Sequence, residues 1–173
     1  MANEDELAAF RDPEVEALAE EAELERRELL LFELDGALFA VRALAVTGVV
    51  SWREPSAIPQ ASPRIAGVIQ DSGRIIVVLR HPTAQVADGK SSASRVVVCG
   101  TKYGFIGLPA TTTQGVQSVG LRAAPGSGDV VDTPAGATTY LEPAALVATL
   151  VDEGDESAPA GSTPPTPAAR GGF

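Results

Sequence analysis

The chain has 173 residues, of which 23 are acidic and 13 basic, giving a formal net charge of −10, and 45% of its residues are hydrophobic. This length suits one domain, or two small subdomains sharing a core, and the negative charge argues against nucleic acid and anionic membrane surfaces as partners. Much of the excess charge lies in the two terminal segments, so the central domain is closer to neutral.

The first 28 residues are rich in Glu and Ala and predict an acidic helix, with Asp12 as its N-cap and Pro13 in its first turn. Its thin apolar stripe fits a solvated helix on or beside the domain, or a helix that docks on a partner. No signal-peptide region is present, and the longest apolar region, residues 37–50, contains Arg42 and is too short to span a bilayer. We therefore expect a cytoplasmic protein without direct membrane insertion.

From Leu29 the pattern changes to short apolar runs separated by turn residues, which predicts β-structure. Asp35-Gly36 lies between two such runs and is the strongest hairpin signal in the chain. A third strand, "LAVTGVVSW", contains Gly48, and a glycine inside a strand predicts a bulge or a close backbone approach.

After a connector stiffened by three prolines, the apolar runs of residues 65–69 and 75–79 flank a polar turn, residues 70–73. Three more short strands are predicted by "RVVVCG", "YGFIGLPA" and "TQGVQSVGL". Cys99 in the first of these is expected to be a buried, unreactive strand residue. It is the only cysteine, so no intrachain disulfide can form, which fits a reducing compartment.

The last part of the chain predicts a Gly/Pro-rich connection, "RAAPGSGDVVDTPAGA", followed by a short strand and a helix with Pro143 near its first turn. From Asp152 onward the chain has almost no large apolar residues and is rich in Pro, Gly, Ser and Thr. Such a segment cannot bury enough surface to offset the entropy of ordering, so residues 152–173 are predicted to be disordered.

No set of residues predicts catalysis, a metal site or a bound cofactor. His81 is the only histidine and lies just past a strand, where a solvated loop histidine is the usual case. Residues 84–91 match a relaxed phosphate-loop pattern, but the next strand follows too closely for the helix that such a loop requires. Asp71 is a single carboxylate in a turn, which more often forms the turn than acts as a general base.

The order of features from Leu29 resembles CheW, the adaptor of bacterial chemosensory arrays. That family begins with a strand, a turn with Gly and a strand carrying an aromatic residue, matched here by residues 29–34, Gly36 and Phe39. Its next strand, of the type Val-x-x-Ile-Ile, is matched by Val46, Val49 and Val50.

The later features follow in the family's order. Pro59 and Pro63 match its loop with spaced prolines, and "RVVVCGTKYGFIGLPATTTQGVQSV" and "TYLEPAALV" are similar to its second half. The ends of its Gly-Val-Ile-Asn-Leu-Arg-Gly signature are kept by Gly67, Val68, Ile69 and Gly73. The middle differs, because Asn-Leu-Arg is replaced by Gln70, Asp71 and Ser72. Val77 and Arg80 stand where the family usually has Pro and Asp, and Gly48 stands where it has Glu.

The resemblance implies a mostly β fold of two small SH3-like β-barrel subdomains over residues 29–151, with an N-terminal helix and a short C-terminal helix. It implies a non-enzymatic scaffold, without cofactor, that binds a chemoreceptor (methyl-accepting chemotaxis protein) tip and a CheA-type kinase regulatory domain, or another CheW-like protein. The signature turn is expected near the groove between the subdomains. The partner-binding residues are then Val46, Val49, Val50, Ile65, Val68, Ile69, Gln70, Asp71, Ser72 and Gly73.

The altered signature predicts weak or absent kinase coupling. Ser72 cannot offer the forked donor of the family's arginine, and a carboxylate at Asp71 would be costly to desolvate without a partner. Two other functions stay open from the residues alone. One is a small β-barrel module with an unrelated partner or small ligand, and the other is an enzyme that binds nucleotide at residues 84–91.

Overall fold

A computed structural model of the chain describes Glu14 and residues 24–83 and 92–155. A 3₁₀ turn lies at Ala43–Ala45, and helix α1 spans Pro143–Asp155. The strands are β1 (Glu25–Leu34), β2 (Ala37–Arg42), β3 (Val46–Ser51), β4 (Ile65–Asp71), β5 (Arg74–Leu79), β6 (Arg95–Thr101), β7 (Gly104–Ala110), β8 (Thr112–Leu121), β9 (Val130–Thr133) and β10 (Gly136–Leu141).

The strands form two five-stranded sheets. Sheet 1 has the order β8-β1-β2-β10-β9, and sheet 2 has the order β3-β6-β7-β5-β4. The connector after β3 pairs with β4, because the backbones of Ser56 and Val68 exchange two hydrogen bonds of 2.9 Å. Sheet 2 is therefore closed by the connector after β3, which pairs with the opposite edge strand β4. The expected mostly β fold of two small subdomains is confirmed, and so is the bulge at Gly48, where the β3–β6 register shifts.

The two sheets pack on a common set of side chains, called here the shared core. Sheet 1 contributes Leu30, Phe32 and Leu34, and sheet 2 contributes Val97 and Ile106, among others. Alternate residues of β1 and β6 point the other way, into the separate interiors of sheets 1 and 2. Both faces of these strands are buried, which explains why their sequences are continuous apolar runs.

Helix α1 closes the shared core, because its Leu146 and Val147 are buried there. Cys99 lies in the same core with no exposed surface, as predicted for a strand residue. Burial, with the charge of Glu142 as a smaller cause, raises the pKa of the Cys99 thiol to about 12. The thiolate needed for reaction is therefore scarce at neutral pH.

Three elements differ from the sequence-based expectation. Residues 25–28 are not helical but extend β1, because the exposed edge of β8 pairs with them from Glu25 to Glu28. The segment predicted as a Gly/Pro-rich connection contains β9, which pairs with β10. Helix α1 continues past Asp152 to Asp155. The rest of the predicted N-terminal helix except Glu14, residues 84–91 and the tail from residue 156 lie outside the described residues.

We predict that a chain trimmed to residues 24–155 folds cooperatively, because it keeps every paired strand and helix α1. Trimming further to start at Leu29 removes the pairing of residues 25–28 with β8, so the free energy of unfolding should fall by about 1–3 kcal/mol. Urea denaturation followed by circular dichroism measures both. Equal stability of the two trimmed chains would show that the start of β1 contributes nothing.

Candidate partner-binding surface

The candidate partner-binding residues lie on sheet 2, on its edge strand β3 and on the β4–β5 hairpin. Residues that are directly paired in neighbouring strands point to the same face of a sheet. Val49 pairs with Val97 and Ile65 pairs with Leu79, and both partners belong to the shared core. Val49 and Ile65 therefore lie on the face of sheet 2 that looks toward sheet 1, as does Val46, which packs against the shared core.

The same face continues along the hairpin beyond the cover of sheet 1. Val68 pairs with Val77 and Gln70 pairs with Ile75, on the face that carries Leu79. Val68 and Val77 are half-buried, Gln70 is exposed, and Ile75 is 68% exposed. These four residues are called here the lateral strip. The apolar run of residues 75–79 predicts a strand, but it does not tell which of its members a second sheet will cover.

Val50 and Ile69 have the opposite orientation. Val50 pairs with Val96 and Ile69 pairs with Ile76, and all four pack in the interior of sheet 2. Ile69 is buried, with 7% of its surface exposed. The structure thus divides the candidates that lie in strands between two faces instead of gathering them on one.

The polar turn is shorter than expected, because Gln70 and Asp71 belong to β4. Ser72 and Gly73 form the turn, with φ angles of 49° and 78°. Two successive positive φ angles are typical of the type I′ turns that join two-residue hairpins. Asp71, the last residue before the turn, lies six residues along β4 from Ile65, which is about 20 Å at strand spacing. The turn therefore stands at the end of the hairpin remote from the shared core.

Asp71 has two cationic partners near this turn. Its carboxylate lies 3.6 Å from the guanidinium of Arg53 and 4.0 Å from that of Arg74, and it accepts a 3.0 Å hydrogen bond from the Ser72 hydroxyl. The Arg74 guanidinium also lies 5.2 Å from the ring centre of Phe105. The Asp71 carboxylate is therefore already paired within the chain. Arg53, Asp71 and Arg74 are called here the rim triad. Asp71 and Arg74 are directly paired on the face that carries Ile69 and Ile76, so the triad lies at the end of the β4–β5 hairpin on the face opposite to the lateral strip.

His81 follows β5 of sheet 2 and lies against Phe39 of sheet 1. Its ring makes an edge-to-face contact with Phe39 at 5.6 Å, and its Nδ1 lies 2.8 Å from the Thr83 hydroxyl. Burial lowers the pKa of His81 from its ordinary value of 6.5, and the charge of Asp35 opposes this shift. The imidazole is therefore a half-buried packing group instead of the expected solvated one.

We predict that His81 makes the protein less stable as the pH falls. Its pKa is lower in the folded than in the unfolded state, so the unfolded state binds more protons below pH 6.5. The stability difference between the protein and its His81→Gln variant should therefore shrink as the pH falls through 6.5. Urea midpoints measured between about pH 5 and pH 8 test this. Parallel pH curves for the two proteins would show that His81 does not contribute.

Residues 24–83 and 92–155 contain neither a metal-binding cluster nor a membrane-spanning helix. Within them, no group of three His, Cys, Asp or Glu side chains is placed to hold a metal ion. No helix in this part of the chain is long and apolar enough to cross a membrane. The loop of residues 84–91 is outside the description, so its expected lack of nucleotide binding stays a prediction.

Comparison with known proteins identifies the domain family and the fold to which this surface belongs. A family model described as a CheW-like domain matches residues 28–148. No curated protein sequence matches the chain. The fold is similar to that of the scaffolding protein TtCheW from Thermoanaerobacter tengcongensis, with a TM-score of 0.58 and 19% sequence identity. The alignment covers 70% of this chain and 92% of that one.

Proposed function

The chain belongs to the CheW-like domain family, and we propose that it is a non-enzymatic scaffold of a bacterial chemosensory pathway. Its partners are the signalling tip of a chemoreceptor and the regulatory domain of a CheA-type kinase, or another CheW-like protein. It acts in the cytoplasm, at membrane receptor arrays. The lateral strip is the observation that carries this proposal, because it is apolar surface continuous with the shared core yet not covered by sheet 1.

A helical receptor tip fits this surface chemically. A helix docks on a groove through apolar anchors spaced three or four residues apart. Val68, Val77 and Ile75 supply the apolar floor, and Gln70 supplies a polar group at one end. Apolar contact then provides affinity, and the polar end selects the partner.

The rim triad also bears on how the altered signature acts. Asp71 is already paired, so it costs less to desolvate than an isolated carboxylate. The two guanidinium groups face this carboxylate, and position 72 offers only a hydroxyl. We therefore propose a scaffold that binds a receptor tip but couples weakly to the kinase, because the turn has no side chain with the forked donors of an arginine.

Substitution of Ile75 tests the assignment. Ile75→Glu places a charge on the lateral strip and should weaken binding of a purified receptor tip by at least about tenfold, which corresponds to about 1.4 kcal/mol. The side chain is 68% exposed, so the fold should tolerate the change. The matched control is Val130→Glu on β9 of sheet 1, where the original side chain is 69% exposed. Calorimetric titration with the tip gives both affinities.

Two outcomes would contradict the assignment. Equal weakening by both variants would mean that added charge, not its position, matters. Binding unaffected by Ile75→Glu would place the receptor elsewhere. If the unchanged protein bound neither tip nor kinase domain, the alternative of a small β-barrel module with an unrelated partner would be favoured.

A further inference from the structure

Sheet 1 carries a second surface that the proposed function does not use. A cleft of about 680 Å³ opens beside the start of β1 and the 3₁₀ turn. Its walls include the guanidinium-bearing residues Arg26, Arg27 and Arg42 and two glutamates. Leu44 and Val116 also line it and are 89% and 55% exposed. The cleft thus combines cationic groups with apolar surface that no described residue covers.

The charges in the cleft are not balanced among themselves. Glu25 lies 2.6 Å from Arg27 and neutralises it. Glu28 is the remaining carboxylate of the walls, against Arg26 and Arg42. The net charge of the walls is therefore positive, in a chain whose overall charge is −10.

The compensating negative charge lies immediately before the cleft in the sequence. Residues 1–23 contain nine carboxylates and one arginine, whereas residues 24–151 contain eleven basic and ten acidic side chains. The segment joins the domain at Leu24, which packs against Gly120 of β8, so that a Cβ built at Gly120 would lie 3.2 Å from Leu24. The next residue, Glu25, is part of the cleft wall. Attachment at this point holds the acidic segment at high effective concentration next to the arginines.

The segment also has the apolar groups that the cleft needs. Leu7, Phe10 and Leu18 are spaced along it among the carboxylates. Side chains of this kind gain free energy by covering exposed apolar surface such as that of Leu44 and Val116. The charge, the position and the apolar residues of residues 1–23 therefore all favour this segment as the occupant of the cleft.

We propose that residues 1–23 dock in the cleft formed by Arg26, Arg42, Leu44 and Val116 of their own chain. The docked segment shields this surface of sheet 1. The interaction is independent of the proposed scaffold function, because the cleft contains none of the lateral strip.

Paramagnetic broadening in the full chain tests the proposal. A nitroxide is attached at Ala17→Cys, and the native Cys99 should not react, since it is buried and its pKa is raised to about 12. Amide signals of Arg26, Leu44 and Val116 should lose intensity, whereas that of Gly73 in the β4–β5 turn should not. In 1 M sodium chloride, where the Debye length is about 3 Å, the loss should be largely reversed.

Charge reversal supplies the matched pair of variants. Arg26→Glu should restore the intensity of the cleft signals at low salt, and Lys102→Glu, the same charge change on the turn between β6 and β7, should leave the loss in place. Intensity loss at Gly73 as large as at Leu44, or none at the cleft, would overturn the proposal. So would broadening of the same size in a mixture of spin-labelled chain with isotope-labelled chain lacking the nitroxide, because the segment would then bind a second copy.

Discussion

Replacing Gly67 with alanine should unfold the protein or lower its free energy of unfolding by about 3 kcal/mol or more. A Cβ at this position would lie 2.3 Å from the carbonyl oxygen of Ser56 and 2.8 Å from its carbonyl carbon. The neighbour is backbone that the Ser56–Val68 pairing holds in place, so it cannot move without opening the pairing of the connector with β4. The φ angle of Gly67, +150°, adds strain for any residue with a side chain.

Gly48→Ala is the matched control for this prediction. It changes the same atoms at a glycine of the same sheet, but no heavy atom lies within 4 Å of its Cβ position. Its free energy of unfolding should stay within about 0.5 kcal/mol of the original. Urea denaturation of the three proteins decides the matter. If Gly67→Ala were as stable as Gly48→Ala, sheet 2 would not be closed by the Ser56 pairing.

The second large effect should appear in kinase coupling. In a reconstituted receptor array, the chain should activate the kinase weakly beside a CheW positive control. The triple variant Gln70→Asn, Asp71→Leu, Ser72→Arg restores the family signature and should raise activation by at least about tenfold, since a charge-assisted hydrogen bond contributes about 1.5–3 kcal/mol. The variant with Lys in place of Arg at position 72 has the same charge without the planar fork and should gain less.

Two results would contradict this account of the turn. Activation by the unchanged chain at the level of CheW would show that Arg53 and Arg74 already serve in place of the signature arginine. No gain in either triple variant would mean that Gly48, Val77 or Arg80, where the chain also departs from the family, limits coupling.

Much of the fold could be predicted because its signals are local. Asp35-Gly36 forms the β1–β2 hairpin, and the apolar runs of β4, β5 and β6 are strands as expected. Residues 25–28, at the start of β1, are Glu and Arg, which favour helices, so the local sequence predicts a helix there. Only the pairing of Glu25 with Leu121, far along the chain, turns these residues into a strand.

The surface was harder to predict because it depends on contacts between distant residues. Arg53 is separated from Asp71 by the whole proline-containing connector, and the closure of sheet 2 brings them together. The exposure of Ile75 depends on how far sheet 1 extends over sheet 2. The sequence pattern at residues 75–79 carries no information about that cover.

The central claim is that the chain is a scaffold for chemosensory partners, and the most direct test is binding of the full chain to a receptor tip and to a CheA-type kinase regulatory domain. Each titration is run by calorimetry beside CheW, which should bind both. We expect the chain to bind the receptor tip, with an affinity reduced by Ile75→Glu and kept by Val130→Glu. If the chain bound neither the receptor tip nor the kinase domain, under conditions in which CheW binds both, the account would be contradicted.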